Sequence, residues 1–188
     1  MLYLASQSPR RRELLTQIGL PFVTCHVDVL EQKQCDEQAQ EYVSRLAADK
    51  AQAGIAQLRA SGDLSEDDLV LGADTIVVYQ GQVLEKPKDQ ADAASMLRLL
   101  SGNKHQVMTA IAVANQLTCR SDIIITDVQF RSISAQEVSE YWHTGEPADK
   151  AGGYAIQSIA NIVQHIGCNF GHACLMSGIQ QALLGVFE

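Results

Sequence analysis

The sequence predicts an α/β protein built on a mixed, twisted sheet flanked by helices. Short apolar runs such as residues 2–5 and 69–71 alternate with segments of helical period, the pattern that layers helices on a sheet. The helices carry their own boundary residues, with Pro9 opening the first and Gly19 and Pro21 closing it. Hydrophobic residues make up 46% and charged residues 19% of 188, the balance of a globular chain able to bury a core. One domain over residues 1–188 is expected.

The elements follow in order. A strand at 2–5 leads through Ser6-Gln7-Ser8 into a helix over 9–18, and residues 22–27 read as the next strand. Val43, Leu46, Ala47, Ala51, Ile55 and Leu58 recur at helical spacing, so 37–58 is a helix and the acidic 60–68 segment a loop. Residues 69–72 form a buried strand that stops at Ala73-Asp74-Thr75 and resumes over 76–79, with Gln80-Gly81 turning into a short strand at 83–84. Asp89 caps a helix through Leu100, closed by Gly102, and 107–114 and 123–130 form two long strands. Ser134-Ala135-Gln136-Glu137 is a capping box that starts a helix ending near Gly145. An irregular 146–154 loop, one or two strands and a short helix near 180–184 complete the chain.

Charge and cysteine content exclude several classes. Lysine and arginine number 14 against 22 aspartates and glutamates, for a net charge of −8, which argues against a nucleic-acid binder. No apolar run reaches membrane-spanning length, and Met1-Leu2-Tyr3 lacks the basic start of a signal peptide. Five scattered cysteines without a Cys-x-x-Cys pair fit reduced thiols, so a cytoplasmic location is expected. His165, Cys168, His172 and Cys174 are zinc-ligand types, but their spacing matches no finger or ribbon and reads better as thiols and surface histidines.

Three segments carry chemistry. Ser6-Gln7-Ser8-Pro9-Arg10-Arg11-Arg12 crowds hydroxyls and guanidinium groups onto a strand-to-helix turn, where backbone N–H groups favour an anion. A phosphate site competes there with plain solvated arginines. Asp74, between Leu69-Val70-Leu71 and Ile76-Val77-Val78, is costly to bury unless paired. It reads as a metal ligand or general base, or as a carboxylate satisfied by backbone amides at a kink. The segment from Gly145 to Gln157 mixes charges with glycines, and Gln157 offers the donor and acceptor that a base edge requires. Glu85-Lys86-Pro87 follows the hairpin as an edge turn in which Pro87 holds Lys86 extended.

Taken together these blocks resemble the Maf family, nucleoside triphosphate pyrophosphatases related in fold to the inosine triphosphate pyrophosphatases. Ser6-Gln7-Ser8-Pro9-Arg10-Arg11 is similar to the family's opening motif, Glu31 to its acidic residue after the second strand, and Lys50 to its helix lysine. Gly72-Ala73-Asp74-Thr75, Glu85-Lys86-Pro87 and Asp149-Lys150-Ala151-Gly152 with Ile156-Gln157 resemble the remaining blocks. The resemblance implies two lobes around a cleft and hydrolysis between the α- and β-phosphates of a nucleotide.

Thr75, Arg11 and Gln157 are similar to the branch acting on dTTP and UTP, with modified pyrimidine nucleotides as further substrates. The 7-methyl-GTP branch and a nucleotide-binding regulator of cell division are the alternatives. In the implied mechanism Glu31 and Asp74 hold a divalent cation, Mg2+ or Mn2+, and Asp74 activates water. Ser6, Arg10, Arg11, Lys50 and Lys86 bind the phosphates, while Thr75 and Gln157 read the base. A pyrimidine nucleoside triphosphate is the expected partner, with a homodimer but no nucleic acid or membrane. Ser158-Ile159-Ala160-Asn161, Cys168-Asn169-Phe170 and Leu175-Met176-Ser177 replace family glycine and Gly-Ser-Tyr positions, so reduced activity is expected from the C-terminal part.

Overall fold

The structure, a computed structural model, describes residues 1–155 and 162–167. Its strands follow the order β2-β1-β3-β5-β6-β7, with β4 paired to β3 off that path. In chain order these are β1 (Leu2–Ala5), β2 (Phe22–Cys25), β3 (Leu69–Tyr79), β4 (Gln82–Leu84), β5 (Lys104–Ala114), β6 (Cys119–Phe130) and β7 (Val163–Gly167). Strand β1 runs parallel to β2 and β3, whereas β4 and β7 pair antiparallel with β3 and β6, so the sheet is mixed as expected. The helices are α1 (Pro9–Ile18), α2 (Ala39–Ser61), α3 (Gln90–Leu100) and α4 (Ala135–His143).

Two compact units divide the chain. Of the described residues, the first comprises Met1–Asp74 and Thr109–Ile124; the second comprises Thr75–Met108, 125–155 and 162–167. The core of the first gathers Leu2, Leu4, Leu15, Leu71, Ile111 and Val113. Alternate residues of β1 and β3 point to one face, which helix α1 covers through Leu15. Gly19, at φ 76°, ends α1 and donates its N–H to the Thr16 carbonyl at 3.0 Å.

The core of the second unit gathers Val77, Leu84, Leu97, Leu100, Phe130 and Tyr154. Asp89 caps α3 by accepting from the Asp92 N–H at 2.8 Å, and Ser134 and Glu137 form the expected capping box of α4. Gly152, at φ 70°, donates to the Glu85 carbonyl at 3.0 Å, tying the 150–153 segment to the turn that carries Lys86. An added Cβ there would meet Val77 at 2.9 Å.

Several sequence expectations change. Strand β3 is continuous through Ala73-Asp74-Thr75, because the Asp74 carboxylate is satisfied by a side chain and no kink is needed to bring amides to it. Strands β5 and β6 begin earlier than 107 and 123, at Lys104 and Cys119. The 146–154 segment holds two short 3-10 turns, Glu146–Asp149 and Ala151–Gly153. The helix expected near 180–184, the altered segments 158–161, 168–170 and 175–177, and Cys168, His172 and Cys174 lie outside the described residues.

His105, at the start of β5, is 2% exposed. Its Nε2 lies 2.6 Å from the Tyr154 hydroxyl, and Phe130 and Tyr154 pack edge-on against its ring. Burial pulls its pKa from 6.5 down to about 4. The folded state therefore keeps the imidazole neutral while the unfolded chain takes up a proton as pH falls below 6.5. Stability is full above that value and is lost progressively down to about 4. Urea unfolding of wild type should lose about 2 kcal/mol more than His105→Gln between pH 7 and pH 5. Equal losses in the two proteins would refute the assignment.

Candidate active site

The site begins with a helix that lies directly on a strand. An added Cβ at Gly72 would stand 2.2 Å from the Ala47 carbonyl oxygen and 2.6 Å from the Ala51 nitrogen. Only glycine admits this approach of the α2 backbone to β3. Ala47, Lys50 and Ala51 share a face of α2 by the i, i+3, i+4 rule, and Gly72 and Asp74 share a face of β3 by strand alternation. Lys50 consequently meets Asp74.

The Lys50 Nζ lies 2.6 Å from Asp74 Oδ1 and 2.6 Å from Glu31 Oε1. Lys50 and Asp74 are each only 9% exposed, while Glu31 is exposed. Arg11 stands close enough to feel both acids. Burial lowers its guanidinium pKa, and the charges of Asp74 and Glu31 raise it again. It remains charged at any pH relevant to folding. Arg11 also donates from Nη1 to Ser6 Oγ at 3.0 Å, and the Ser8 N–H donates to the same oxygen at 3.2 Å. The hydroxyl is thereby fixed at the mouth of the turn between β1 and α1.

The first unit thus brings together Ser6, Arg11, Glu31, Lys50 and Asp74 of the residues singled out by sequence. Arg10 directs Nη1 to Glu13 Oε2 at 3.0 Å along the first turn of α1. Arg12 is exposed, and its backbone carbonyl accepts from the Thr16 hydroxyl. Thr75, half-buried, and Lys86, exposed, belong to the second unit. Gln157 lies outside the described residues.

Two features of this arrangement escaped sequence reading. One is the contact at Gly72, whose glycine is legible but whose partner helix is not. The other is Arg45, which forks onto Glu37 with Nε to Oε1 at 2.7 Å and Nη2 to Oε2 at 3.0 Å. The i, i+4 spacing of Arg45 and Asp49 was the available signal. The fork holds the Glu37 carboxyl down at about 2.

The donor set suits a hard divalent cation. Among the described residues no group of three His, Cys, Asp or Glu side chains gathers. Glu31 and Asp74 already present oxygens to one positive centre, the Lys50 ammonium. Magnesium needs no more protein than one or two carboxylates, since waters and substrate phosphates complete its shell.

Two outcomes test this geometry. Gly72→Ala should destabilise the protein by about 3 kcal/mol or more in chemical denaturation, since backbone and not a flexible side chain occupies the space; a loss within 1 kcal/mol on the same scale would show that α2 can withdraw freely. Lys50→Met should cost about 3–5 kcal/mol because it strands a buried carboxylate. Adding Asp74→Asn to Lys50→Met should restore a substantial part of that loss, and no recovery would count against the pairing.

Sequence similarity places the chain among known proteins. The family model described as "Maf-like protein" matches residues 1–171. A protein of Saccharophagus degradans named dTTP/UTP pyrophosphatase is 55% identical over 161 residues, covering 86% of this chain and 75% of its own. Relatives bearing the same name occur in Salmonella typhimurium, 55% identical over 156 residues (83% of this chain, 76% of theirs), and in Pseudoalteromonas atlantica. The latter is 52% identical over 167 residues, covering 88% of this chain and 85% of its own. With the opening arginines, the lysine of α2 and the aspartate of β3 all falling inside the matched span, the chain belongs to the Maf family.

Proposed function

We propose that this protein is a nucleoside triphosphate pyrophosphatase that hydrolyses dTTP and UTP to the monophosphate and pyrophosphate. The observation that carries the reading is the convergence of Glu31 and Asp74 on Lys50 beside Arg11. The names of relatives more than half identical supply the substrate class. A bare anion site would need the cations alone; two carboxylates set among them suit metal binding and water activation.

Glu31 and Asp74 would hold the divalent cation, Mg2+ or Mn2+, which supplies charge neutralisation at the phosphate oxygens when bound. Arg11 and Lys50, with Arg10 at the helix start, offset the negative charge that gathers on the departing pyrophosphate. The Ser6 hydroxyl, already accepting two hydrogen bonds, has its own proton left to donate to a phosphate oxygen. Asp74 orients the attacking water and accepts its proton. The roles of Thr75 and Gln157 toward the pyrimidine and of Lys86 toward the phosphates rest on the motif resemblance, as does the homodimer; the single domain rests on chain length and composition. Among the described residues no helix is long and apolar enough to cross a membrane. A cytoplasmic location is part of the proposal.

Pyrophosphate release from dTTP, UTP, 7-methyl-GTP and purine triphosphates, with and without Mg2+, tests the reading. Wild type should turn over dTTP and UTP only with the cation. Asp74→Asn should bind dTTP within a few-fold of wild type yet lose at least about a hundredfold in kcat. Tight dTTP binding without turnover in wild type would favour a nucleotide-binding regulator. Preference for 7-methyl-GTP would move the chain to the other branch.

A further inference from the structure

The loop that carries Glu31 has no regular structure between β2 and α2, and Glu31 itself is exposed. An exposed side chain on an irregular loop has no inherent reason to stay at Lys50. Holding one orientation costs side-chain entropy, against which the contact with the buried Lys50 ammonium works. A contact that fixes the loop itself lowers that cost.

Arg45, on α2, makes such a contact. Besides forking onto Glu37, its Nη2 donates to the Gln32 carbonyl at 3.0 Å, and its Nη1 donates to Asp49 Oδ2 at 3.0 Å. Glu37 Oε2 in turn accepts from the Gln34 N–H at 2.9 Å. The loop is thus pinned at positions 32, 34 and 37 around one guanidinium. That group is fixed by Asp49 on its own helix and lies 5.5 Å from the centre of the Tyr42 ring. Asp49 immediately precedes Lys50, so the part of α2 that locks Arg45 is the part that presents the ammonium to Glu31. A lysine at position 45 could not reproduce the arrangement, since its ammonium is a point charge with no planar fork.

We infer that Arg45 is a positioning residue for Glu31: by clamping residues 32–37 to α2 it holds the Glu31 carboxylate where the divalent cation binds. The inference rests on the metal assignment made under the proposed function. In this role Arg45 acts on the loop and not directly on substrate or metal, as outer partners of metal ligands do.

The sign of its effect separates this role from simple electrostatics. Removing a positive charge near a cation site relieves repulsion and should tighten cation binding. Removing a clamp should weaken it. The experiment is a titration of Mn2+ against the full-length, nucleotide-free protein, following free Mn2+ by electron paramagnetic resonance, with hydrogen exchange measured on the same samples. In Arg45→Met, Mn2+ affinity should fall roughly tenfold to a hundredfold. Amides 32–37 should exchange faster, while those of β1 and β3 remain as protected as in wild type, which also establishes that the variant is folded.

Arg45→Met combined with Glu37→Leu removes the pair at unchanged net charge and should show the same weakening. Arg45→Lys, which keeps the charge, should also bind several-fold more weakly. Affinity unchanged or tightened in Arg45→Met, or restored to wild type in Arg45→Lys, would overturn the clamp. Absence of Mn2+ binding by the wild type, both alone and (beyond what the nucleotide itself binds) with a non-hydrolysable dTTP analogue, would overturn both the clamp and the metal assignment. Wild-type Mn2+ binding that Arg45→Met weakens, in a protein that hydrolyses no nucleotide, would leave the clamp standing and remove the pyrophosphatase reading.

Discussion

The candidate site depends on how closely one helix can approach one strand. At Gly72 the backbone of α2 occupies the space that any side chain would need, with the Ala47 carbonyl oxygen 2.2 Å from an added Cβ. Farther along each element, two side chains of opposite charge then meet across the same seam. The periods of the helix and the strand make this meeting inevitable once the seam is closed: Lys50 lies three residues from Ala47, and Asp74 two from Gly72. A larger residue at position 72 would separate them by moving the helix.

That meeting carries a cost that a core built only for stability would avoid. Replacing a buried ion pair with apolar side chains is often neutral or stabilising, so such a pair is weak support for a fold. Here the ammonium faces two carboxylates, and Arg11 supplies a second positive charge beside them. The four groups balance in charge, yet each stays able to exchange its partner for a ligand of the same sign as that partner. Under the proposed function a divalent cation would replace the ammonium at the carboxylates, and phosphate would replace the carboxylates at Lys50 and Arg11. Such an arrangement is charge-neutral as it stands, with two carboxylates set against two basic groups.

The second unit has a different foundation. Its core is apolar and aromatic, with Phe130 and Tyr154 packed edge to face at 4.9 Å and His105 against both rings. Tyr154 anchors the end of the glycine-containing segment, and Gly152 lies against Val77 while bonding to the Glu85 carbonyl. The turn around Lys86 and the segment through Lys150 are therefore parts of one packed unit, although more than sixty residues separate them in sequence.

Much of this was legible in the sequence. Helix α1 was bounded by Pro9 and Gly19, α3 by the Asp89 cap and α4 by the Ser134 box, because caps are local chemistry. The ordered motifs marked Arg11, Glu31, Lys50 and Asp74 as members of one site. Sequence alone failed where a long-range partner decided the outcome. Strand β3 does not break at Asp74, because Lys50, twenty-four residues away, satisfies a carboxylate that local reasoning would assign to a kink. Arg45 was not singled out at all, because its contacts with Glu37 and the Gln32 carbonyl exist only once the loop folds back onto α2. The candidate residues were thus read from residue type for Arg11 and Asp74, and from the resemblance to a known family for Glu31 and Lys50. Which of them meet, and what holds them there, was decided by the tertiary structure, because ion pairing and backbone contact depend on distances that periodicity does not specify.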